Sequence, residues 1–335
     1  MMTKSTLGIV SVLAFVAALI TQAVAQQTAR YDGPIIDMHL HAYSAWSETS
    51  IPQCSTELVF LPRDPQNPYD VDDLADCDSP LQSATTDEEL MRRSLQIMER
   101  FNVIGVTSGE LEMVQRWEAA APSRIIPALE SGGEVPPESI RNWVADGKIR
   151  VLGELTFQYN SLSPSDSVPD SYFALAEELD LPVALHMGLG PPGAAYFYNE
   201  KYRMRLSDPL LLEESLLRYP RLRLYVMHAG WPMLDHMLGL LLAHPQVYVD
   251  IALINWMIPR KEFHTYLKRL IDAGFEKRVM FGSDQAFWPE AMTVAIESIQ
   301  SAEFLSTEQK ADIFHNNAAR FLRLSEEEIA RHHGR

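Results

Sequence analysis

The sequence predicts an α/β fold, a closed (β/α)8 TIM barrel with an insertion after the first strand and extra helices after the last one. Short runs that are apolar almost throughout alternate with amphipathic helical runs, which is typical of a parallel sheet covered on both faces. Eight such units follow one another without a linker, and the ~300 residues that they occupy suit one barrel rather than two domains. An open doubly wound sheet is the alternative. No G-x-G-x-x-G follows the first strand, which weakens a dinucleotide-binding version of that sheet.

The elements are expected in the following order. The eight strands are predicted at residues 34–39, 103–107, 125–129, 151–156, 183–186, 222–227, 247–251 and 279–281. Thr86 and the acidic residues after it predict a helix start. Further helical patterns cover residues 171–179, 208–219, 231–243, 261–273 and 290–300. Ser306 begins one C-terminal helix, residues 316–324 form another, and the charged tail 325–335 is expected to fray at its end.

Composition and charge exclude several classes of protein. The chain has 335 residues, of which 47% are hydrophobic and 22% charged, as in ordinary globular proteins and unlike disordered or fibrous chains. Its formal net charge of -17 disfavours nucleic acid as a partner, because phosphate backbones repel such a chain. We expect a small-molecule substrate. The oligomeric state stays open, a homo-oligomer being one option.

The N-terminus resembles an export signal. Lys4 precedes an uncharged apolar run over residues 7–20, and Ala23 and Ala25 match the small-x-small cleavage rule. We predict a signal peptide over residues 1–25 and a single mature domain over 26–335, which would be periplasmic or secreted and free of the membrane. An uncleaved membrane anchor is the alternative.

The two cysteines, Cys54 and Cys77, share a polar segment at residues 42–84 that is an insertion after the first strand. In an oxidising compartment they are expected to form a disulfide; two unpaired thiols are the alternative. Because the insertion directly follows two candidate metal ligands, it either forms a lid over the site or faces solvent.

Polar side chains follow four of the predicted strands. His39 and His41 stand two residues apart at the first strand, so both imidazoles point to one side of it. His186 ends strand five, His228 follows strand six and Asp284 follows strand eight. In a barrel these strand ends meet at the rim where active sites of this fold lie.

This set of side chains predicts a metal site. Three imidazoles and a carboxylate suit one divalent ion, zinc above all, with a position left for water. Such an ion lowers the pKa of bound water toward ~7. Asp284 would orient that water and take its proton, and His228 would either polarise a substrate oxygen or share the role of base.

The same residues carry a family resemblance. The sequence D-M-H-L-H at 37–41, His186, H-A-G at 228–230, G-S-D at 282–284 and N-N-A-A-R-F at 316–321 resemble the amidohydrolase superfamily. The most similar branch is the amidohydrolase-2 group, which includes aminocarboxymuconate-semialdehyde decarboxylase-like enzymes. The resemblance spans residues 34–324. It implies a (β/α)8 barrel and a divalent metal, usually zinc, with His39, His41, His186 and Asp284 as ligands and His228 close to the metal water.

One departure from the superfamily concerns strand four. Binuclear amidohydrolases place a bridging lysine there, whereas this chain has Glu154 and no lysine in the corresponding run, which favours one metal ion. Glu154 is a ligand, a partner that orients an imidazole, or a satisfied carboxylate at the barrel end. Glu130, at the end of strand three, is a weaker candidate. The remaining histidines are interpreted as structural or solvated: His236, His244, His264, His315, His332 and His333.

Aromatic and basic residues near the strand ends bear on the substrate. The aromatic ones predict an apolar pocket, or else only pack rim loops together; they are Tyr43, Trp46, Tyr159, Tyr196, Phe197, Tyr198, Trp231, Trp256 and Trp288. One of four basic side chains would hold a substrate carboxylate: Lys201, Arg203, Arg205 or Arg260. Three functions compete: hydrolysis of an amide, ester or lactone, non-oxidative decarboxylation of an aromatic or unsaturated acid, and non-catalytic binding of metal or ligand.

Overall fold

The computed structural model describes residues 30–67 and 75–334, so the predicted signal peptide lies outside the described part of the chain. Its main feature is a sheet of eight strands. They are β1 (Ile35–His41), β2 (Val103–Ser108), β3 (Ile125–Ser131), β4 (Val151–Leu155), β5 (Val183–His186), β6 (Leu224–Met227), β7 (Tyr248–Asp250) and β8 (Val279–Met280). Their residues are almost all buried, which explains why the strands read as continuous apolar runs in the sequence.

Each strand pairs in parallel with the next one along the chain, from β1 to β8. Backbone hydrogen bonds then join the last strand to the first. The Met38 amide donates to the Phe281 carbonyl at 2.9 Å, and the Asp284 amide donates to the His39 carbonyl at 2.7 Å. The sheet is therefore a nearly closed barrel. This confirms the predicted (β/α)8 class, and the open doubly wound alternative is wrong.

Helices surround the barrel and follow it. The α-helices are Asp87–Arg100, Leu111–Ala120, Pro137–Ala145, Ser167–Glu178, Ala194–Phe197, Glu213–Arg218, Leu234–Ala243, Ile254–Met257, Arg260–Asp272, Ala291–Gln300, Thr307–Ala311, Asn317–Leu322 and Glu326–His332. Short 3-10 turns lie at Phe157–Asn160, Met204–Ser207, Pro209–Leu212, His228–Gly230 and Glu276–Arg278, and a π-helical turn at Asp312–Asn316. No helix among the described residues has the length and hydropathy needed to cross a bilayer.

The helix Asn317–Leu322 closes one end of the barrel. Phe321 belongs to the apolar cluster inside the barrel, where its ring lies 5.4 Å from that of Tyr225 and 5.1 Å from that of Tyr248. Because Tyr248 is the first residue of β7, this is the end at which the strands begin. The opposite end, where the strands finish, is left for the site.

Several predicted boundaries differ from the structure, among them those of the helices after β5 and β6. The segment predicted as one helix over 208–219 begins with a 3-10 turn, because Asp208 accepts a hydrogen bond from the Leu210 amide at 3.0 Å. The next predicted helix, 231–243, starts only at Leu234, since Pro232 disfavours helical backbone in the residue before it. The tail is ordered as the helix Glu326–His332, because Ser325 and Glu328 form a capping box.

The insertion at residues 42–84 has secondary structure of its own. Two short antiparallel strand pairs join Pro52–Gln53 to Leu81–Gln82 and Val59–Phe60 to Ala75–Asp76. The predicted disulfide between Cys54 and Cys77 is present. Backbone hydrogen bonds at Thr56 then tie the insertion to Trp256 and Arg260 beyond β7, each at 2.9 Å.

Candidate metal centre

The centre begins with two imidazoles at the end of β1. His39 and His41 are each 1% exposed, and their Nε2 atoms lie 3.1 Å apart. The other nitrogen of each ring contacts a polar group on the side away from this pair. His39 Nδ1 lies 3.2 Å from an Asp250 carboxylate oxygen, and His41 Nδ1 lies 3.1 Å from the Ser108 hydroxyl. These partners orient both rings so that the Nε2 atoms face one buried space.

Asp250 has a wider anchoring role that the sequence did not reveal. Its carboxylate also accepts hydrogen bonds from the backbone amides of His228, at 2.8 Å, and Ala252, at 3.0 Å. It therefore fixes the His39 ring and the backbone that carries His228. The signal was available in the sequence, because Asp250 is the carboxylate at the end of the seventh strand, as Asp284 is after the eighth.

Two carboxylates face the imidazoles. Asp284 Oδ1 lies 3.0 Å from His41 Nε2 and 3.8 Å from His39 Nε2. Glu154 reaches further across the site. One of its oxygens is 3.5 Å from His41 Nε2 and 3.6 Å from His39 Nε2, and the other is 3.5 Å from His186 Nε2. Of the three interpretations of Glu154, this position favours a direct role at the centre.

His228 completes the cluster from the end of β6. Its Nδ1 lies 3.0 Å from the Ala252 carbonyl, which only accepts hydrogen bonds, so Nδ1 carries the proton and Nε2 has a free lone pair. The His228 ring centroid lies 5.1 Å from that of His39 and 4.6 Å from that of His186. His228 Nε2 and His186 Nδ1 are buried without a hydrogen-bond partner among the described residues.

The donor atoms fall into three overlapping groups, in each of which they lie within 4.8 Å of one another. The groups are His39, His228 and Asp284; His39, His41 and Glu154; and Glu154, His186 and His228. The four ligands predicted from the sequence all belong to this cluster, and so do Glu154 and His228. Buried imidazole lone pairs beside carboxylates suit zinc or a similar divalent ion. The residues present therefore fit the metal that the sequence predicts.

The carboxylates and imidazoles of the cluster shift one another's ionisation. Burial raises the pKa of Glu154, but the neighbouring imidazoles outweigh that effect and bring it to about 2. Burial likewise opposes ionisation of Asp284, yet His39 and His41 lower its pKa below the usual range. Burial lowers the pKa of His186 to about 3. Burial opposes protonation of His39 and His41, but Asp284 and the other nearby carboxylates outweigh that effect and raise the pKa of both rings. The metal-free centre thus pairs two carboxylates with two imidazoles that hold protons more strongly than usual, and a bound cation would take the place of those protons. Outside this cluster, burial raises the pKa of Glu130 to about 7.

A cavity of about 800 Å³ contains the centre. The insertion forms part of its wall through Gln53, Leu58, Phe60 and both disulfide cysteines, and so is not merely a solvent-facing loop. Most of the aromatic residues predicted near the strand ends line the cavity: Tyr43, Trp46, Tyr159, Phe197, Tyr198, Trp256 and Trp288. Phe287 also lines it, although its position was not predicted from the sequence.

Other predicted positions lie outside this cavity. Tyr196 and Trp231 do not line it, and Trp231 instead points its indole N–H toward Glu262. The four basic side chains that were candidates for holding a carboxylate are also absent from its described lining. The other histidines lie elsewhere. His264 contacts the Ser298 carbonyl at 2.8 Å, and His315 pairs with His332 at 3.1 Å.

Comparisons with known proteins agree with this architecture. The family model described as amidohydrolase matches residues 36–324. Among curated proteins, protein fluG of Emericella nidulans is 22% identical over 161 residues, which are 44% of this chain and 18% of that protein. The chain thus spans less than a fifth of that relative's length.

Two solved structures share the fold. One is a probable 2-pyrone-4,6-dicarboxylic acid hydrolase from Acinetobacter baumannii, with a TM-score of 0.58 and 15% identity, covering 87% of this chain and 99% of that one. The other is a 2,6-dihydroxybenzoate decarboxylase, with a TM-score of 0.50 and 14% identity, covering 71% and 91%. Since the family model covers most of the barrel and all five predicted site positions, this chain belongs to the amidohydrolase family, in its amidohydrolase-2 group.

Proposed function

We propose that this protein is a metal-dependent hydrolase of a carbonyl compound, an amide, an ester or a lactone. The observation that carries the proposal is the buried His, Glu and Asp cluster that lines a cavity large enough for a small molecule. In the reaction, water adds to the acyl carbon, the bond from that carbon to nitrogen or oxygen breaks, and the leaving atom takes a proton. The predicted export makes this an enzyme of the periplasm or the exterior.

We assign the following roles to the residues of the site. His39, His41, His186 and Asp284 would hold one divalent ion, zinc in our proposal, with Glu154 beside them. Such an ion supplies a Lewis acid that polarises a carbonyl and lowers the pKa of water. Asp284 lies at the centre, with Oδ1 3.0 Å from His41 Nε2, so its carboxylate would be placed to accept the proton of the attacking water and to pass it to the leaving group.

The tautomer of His228 allows its ring to act as a base. Its Nδ1 proton is committed to the Ala252 carbonyl, so Nε2 can accept a hydrogen bond but has no proton to donate to a substrate oxygen. Of the two roles considered from the sequence, this arrangement favours a shared role as base, or the orientation of water, over polarisation of the substrate.

Decarboxylation is the competing reaction on the same donor set, and the shared fold with 2,6-dihydroxybenzoate decarboxylase is its support. In that reaction the bond to the carboxyl carbon breaks, carbon dioxide leaves and the ring carbon takes a proton. The lining of the cavity counts against it. No lysine or arginine in the described part of the chain lines the cavity, so no basic side chain there pairs with a substrate carboxylate, and only the metal ion would do so.

The first experiment measures metal. The purified mature chain, residues 26–335, is reconstituted with zinc and analysed by mass spectrometry together with His39→Ala, Asp284→Ala and a matched control, His236→Ala, whose ring lies outside the cluster. We expect about one ion per chain in wild type and control, and loss of bound metal and of activity in the two site variants. Equally negligible metal in wild type and both site variants would contradict the proposal.

The second experiment identifies the reaction. The zinc-loaded protein is assayed against esters, lactones, amides and aromatic acids. Release of acid without carbon dioxide supports hydrolysis, whereas release of carbon dioxide from the acids supports the decarboxylase. Bound metal with no turnover of any substrate supports the non-catalytic alternative.

A further inference from the structure

Apart from histidines, the charged side chains that line the cavity are all acidic. Five carboxylates line it, those of Asp76, Glu130, Glu134, Glu154 and Asp284, and no lysine or arginine does so among the described residues. Residues 68–74, which lie between the described ranges, contain no lysine or arginine in the sequence. A divalent ion at the centre would balance the charges of Glu154 and Asp284. The charges of Asp76 and Glu134 would remain, whereas Glu130 is partly protonated at neutral pH because burial raises its pKa to about 7.

None of these three carboxylates pairs with a lysine or an arginine in the described structure. Glu130 meets the Tyr43 hydroxyl and lies 3.9 Å from the His41 ring, and Asp76 and Glu134 form no ion pair there. Some acidic residues of the same protein do pair with arginine. Arg141, for example, forms two hydrogen bonds with Glu178, at 2.7 and 2.8 Å. Asp76 and Glu134, which lie at exposed positions of the lining, have no such partner among the described residues.

Aromatic side chains line the same space. Trp46 and Tyr43 lie 5.2 and 5.4 Å from Phe287, ring centroid to ring centroid, and on another part of the lining Tyr159 lies 5.9 Å from Tyr198. The faces of such rings carry negative electrostatic potential and attract organic cations, most strongly where water is excluded.

Three hydrogen-bond donors in the lining are committed to the protein itself. The Trp288 indole donates to the Ile51 carbonyl at 2.9 Å, and the Trp256 indole donates to the Ser283 carbonyl at 2.7 Å. The Asn160 amide donates to the Gly132 carbonyl at 3.0 Å. The cavity thus offers carboxylates and aromatic rings to its occupant, and no lysine or arginine among the described residues that would favour an anion.

We propose that the cavity selects a carbonyl substrate that carries a positively charged amine, held among the aromatic side chains and the carboxylates of Glu134 and Asp76. The inference rests on the proposed hydrolase function in so far as it names a substrate. The charge preference of the cavity does not depend on that function. A cation gains from both kinds of group, a neutral molecule of the same shape gains only from the apolar contacts, and an anion is repelled.

Binding tests the charge preference without any reaction. The probes are (4-hydroxyphenyl)trimethylammonium, 4-tert-butylphenol and 4-hydroxybenzoate, in which the first two have nearly the same shape. Calorimetry on the zinc-loaded mature protein should give a dissociation constant for the cation at least about 10-fold lower than for the neutral phenol, with the anion weakest. Equal or tighter binding of the neutral phenol or of the anion would overturn the proposal.

Turnover tests whether the preference governs a substrate. The acetate esters of the same three phenols are compared by kcat/KM, each divided by its own rate of alkaline hydrolysis to remove differences in reactivity. We expect the order cation, neutral, anion. If no ester, amide or lactone is hydrolysed, the proposed function fails while the binding order still decides the charge preference. If the esters are hydrolysed in another order, the charge preference alone fails.

Single-residue variants test which carboxylates produce the preference for a cation. Glu134→Gln and Asp76→Asn should each weaken binding of the cation about 3- to 10-fold and leave the neutral phenol unchanged. The control is Glu303→Gln, which removes one negative charge from an exposed position outside the cavity. An equal effect of all three variants would mean that only the overall charge of the protein matters, and would overturn the proposal.

Discussion

At the scale of single residues, the centre depends on side chains that hold its imidazoles in place. Asp250 is the clearest case, because one carboxylate contacts the His39 ring and accepts two backbone amides. Partners of this kind set the tautomer and the orientation of a metal-binding imidazole, and their loss weakens metal affinity even though they do not touch the ion.

Replacing Asp250 by Asn should therefore lower the affinity for zinc about 10- to 100-fold with little change in the fold. The amide keeps an acceptor oxygen for the backbone, but it no longer carries the charge that holds the His39 N–H. Competition with a chelating dye measures the affinity, and circular dichroism checks the fold. The exposed Asp272→Asn, at the end of a surface helix, is the matched control. Unchanged affinity in Asp250→Asn would contradict the anchoring role.

Glu154 allows the three interpretations of its role to be separated. Its carboxylate lies within 3.6 Å of the Nε2 atoms of three imidazoles, so we expect Glu154→Gln to lower zinc affinity by at least about 10-fold. Glu134→Gln is the control, because Glu134 lines the same cavity without belonging to the donor cluster. If the two variants bind zinc equally well, Glu154 is only a satisfied carboxylate at the barrel end.

At the scale of elements, the insertion and the C-terminal helices close opposite ends of the barrel. The insertion is fastened by the Cys54–Cys77 disulfide and by backbone bonds to residues beyond β7. The C-terminal helices pack under the barrel through Phe321, and His315 meets His332 of the last helix there. Each region supports a stability prediction.

Replacing both cysteines by serine should destabilise the insertion by about 3 kcal/mol, the chain-entropy cost for a sequence separation of 23 residues. Hydrogen exchange should rise over residues 51–82 and stay unchanged in the barrel strands, and catalytic efficiency should fall because the insertion lines the cavity. Wild-type protein in reducing agent is the matched comparison. Unchanged exchange over the insertion in both samples would contradict its dependence on the disulfide.

His315 should make stability depend on pH. Burial lowers its folded-state pKa to about 4, and His332 adds to this effect, whereas the unfolded value is ~6.5. The unfolded chain therefore binds more protons between these values, and the free energy of unfolding falls as the pH drops from ~6.5 to ~4, by at most ~3 kcal/mol.

Urea unfolding of wild type and His315→Gln at pH 7 and pH 4.5 measures the contribution of His315 to the pH dependence of the free energy of unfolding. Carboxylates also lose stabilising contacts in acid, so the difference between the two proteins is the quantity that counts. We expect the variant to lose less stability on acidification, whereas the exposed His236→Gln should behave as wild type. Equal losses in wild type and His315→Gln would contradict the prediction.

At the scale of the whole molecule, the chain is a barrel whose strand ends converge on one cavity. The predicted signal peptide, residues 1–25, lies outside the described residues and stays a prediction. The disulfide agrees with an oxidising compartment, because such bonds persist outside the cytosol.

Expression of the full chain in a bacterial host should yield a periplasmic protein that begins at Gln26, because the signal peptidase recognises small residues at 23 and 25. Intact mass spectrometry of the periplasmic fraction measures the start. The control is Ala25→Asp, which places a charge at the cleavage position and should leave the precursor uncut. A wild-type protein that retains residues 1–25 would favour the uncleaved anchor.

The sequence by itself determined the barrel and most of the site. Apolar strands recur in order because parallel strands covered on both faces need them, and the chemistry follows at their ends because the active rim of this fold lies there. His39, His41, His186, His228 and Asp284 were therefore identifiable without coordinates.

Only the tertiary structure decided what depends on contacts between distant elements. Asp250 meets His39 across 211 positions of sequence, and no periodicity in either strand reports that distance. Likewise Glu154 was one of several carboxylates until the fold placed it among three imidazoles. The composition showed an acidic chain, but only packing could show that lysine and arginine in the described residues lie away from the cavity, because where a charged side chain lies is set by the fold.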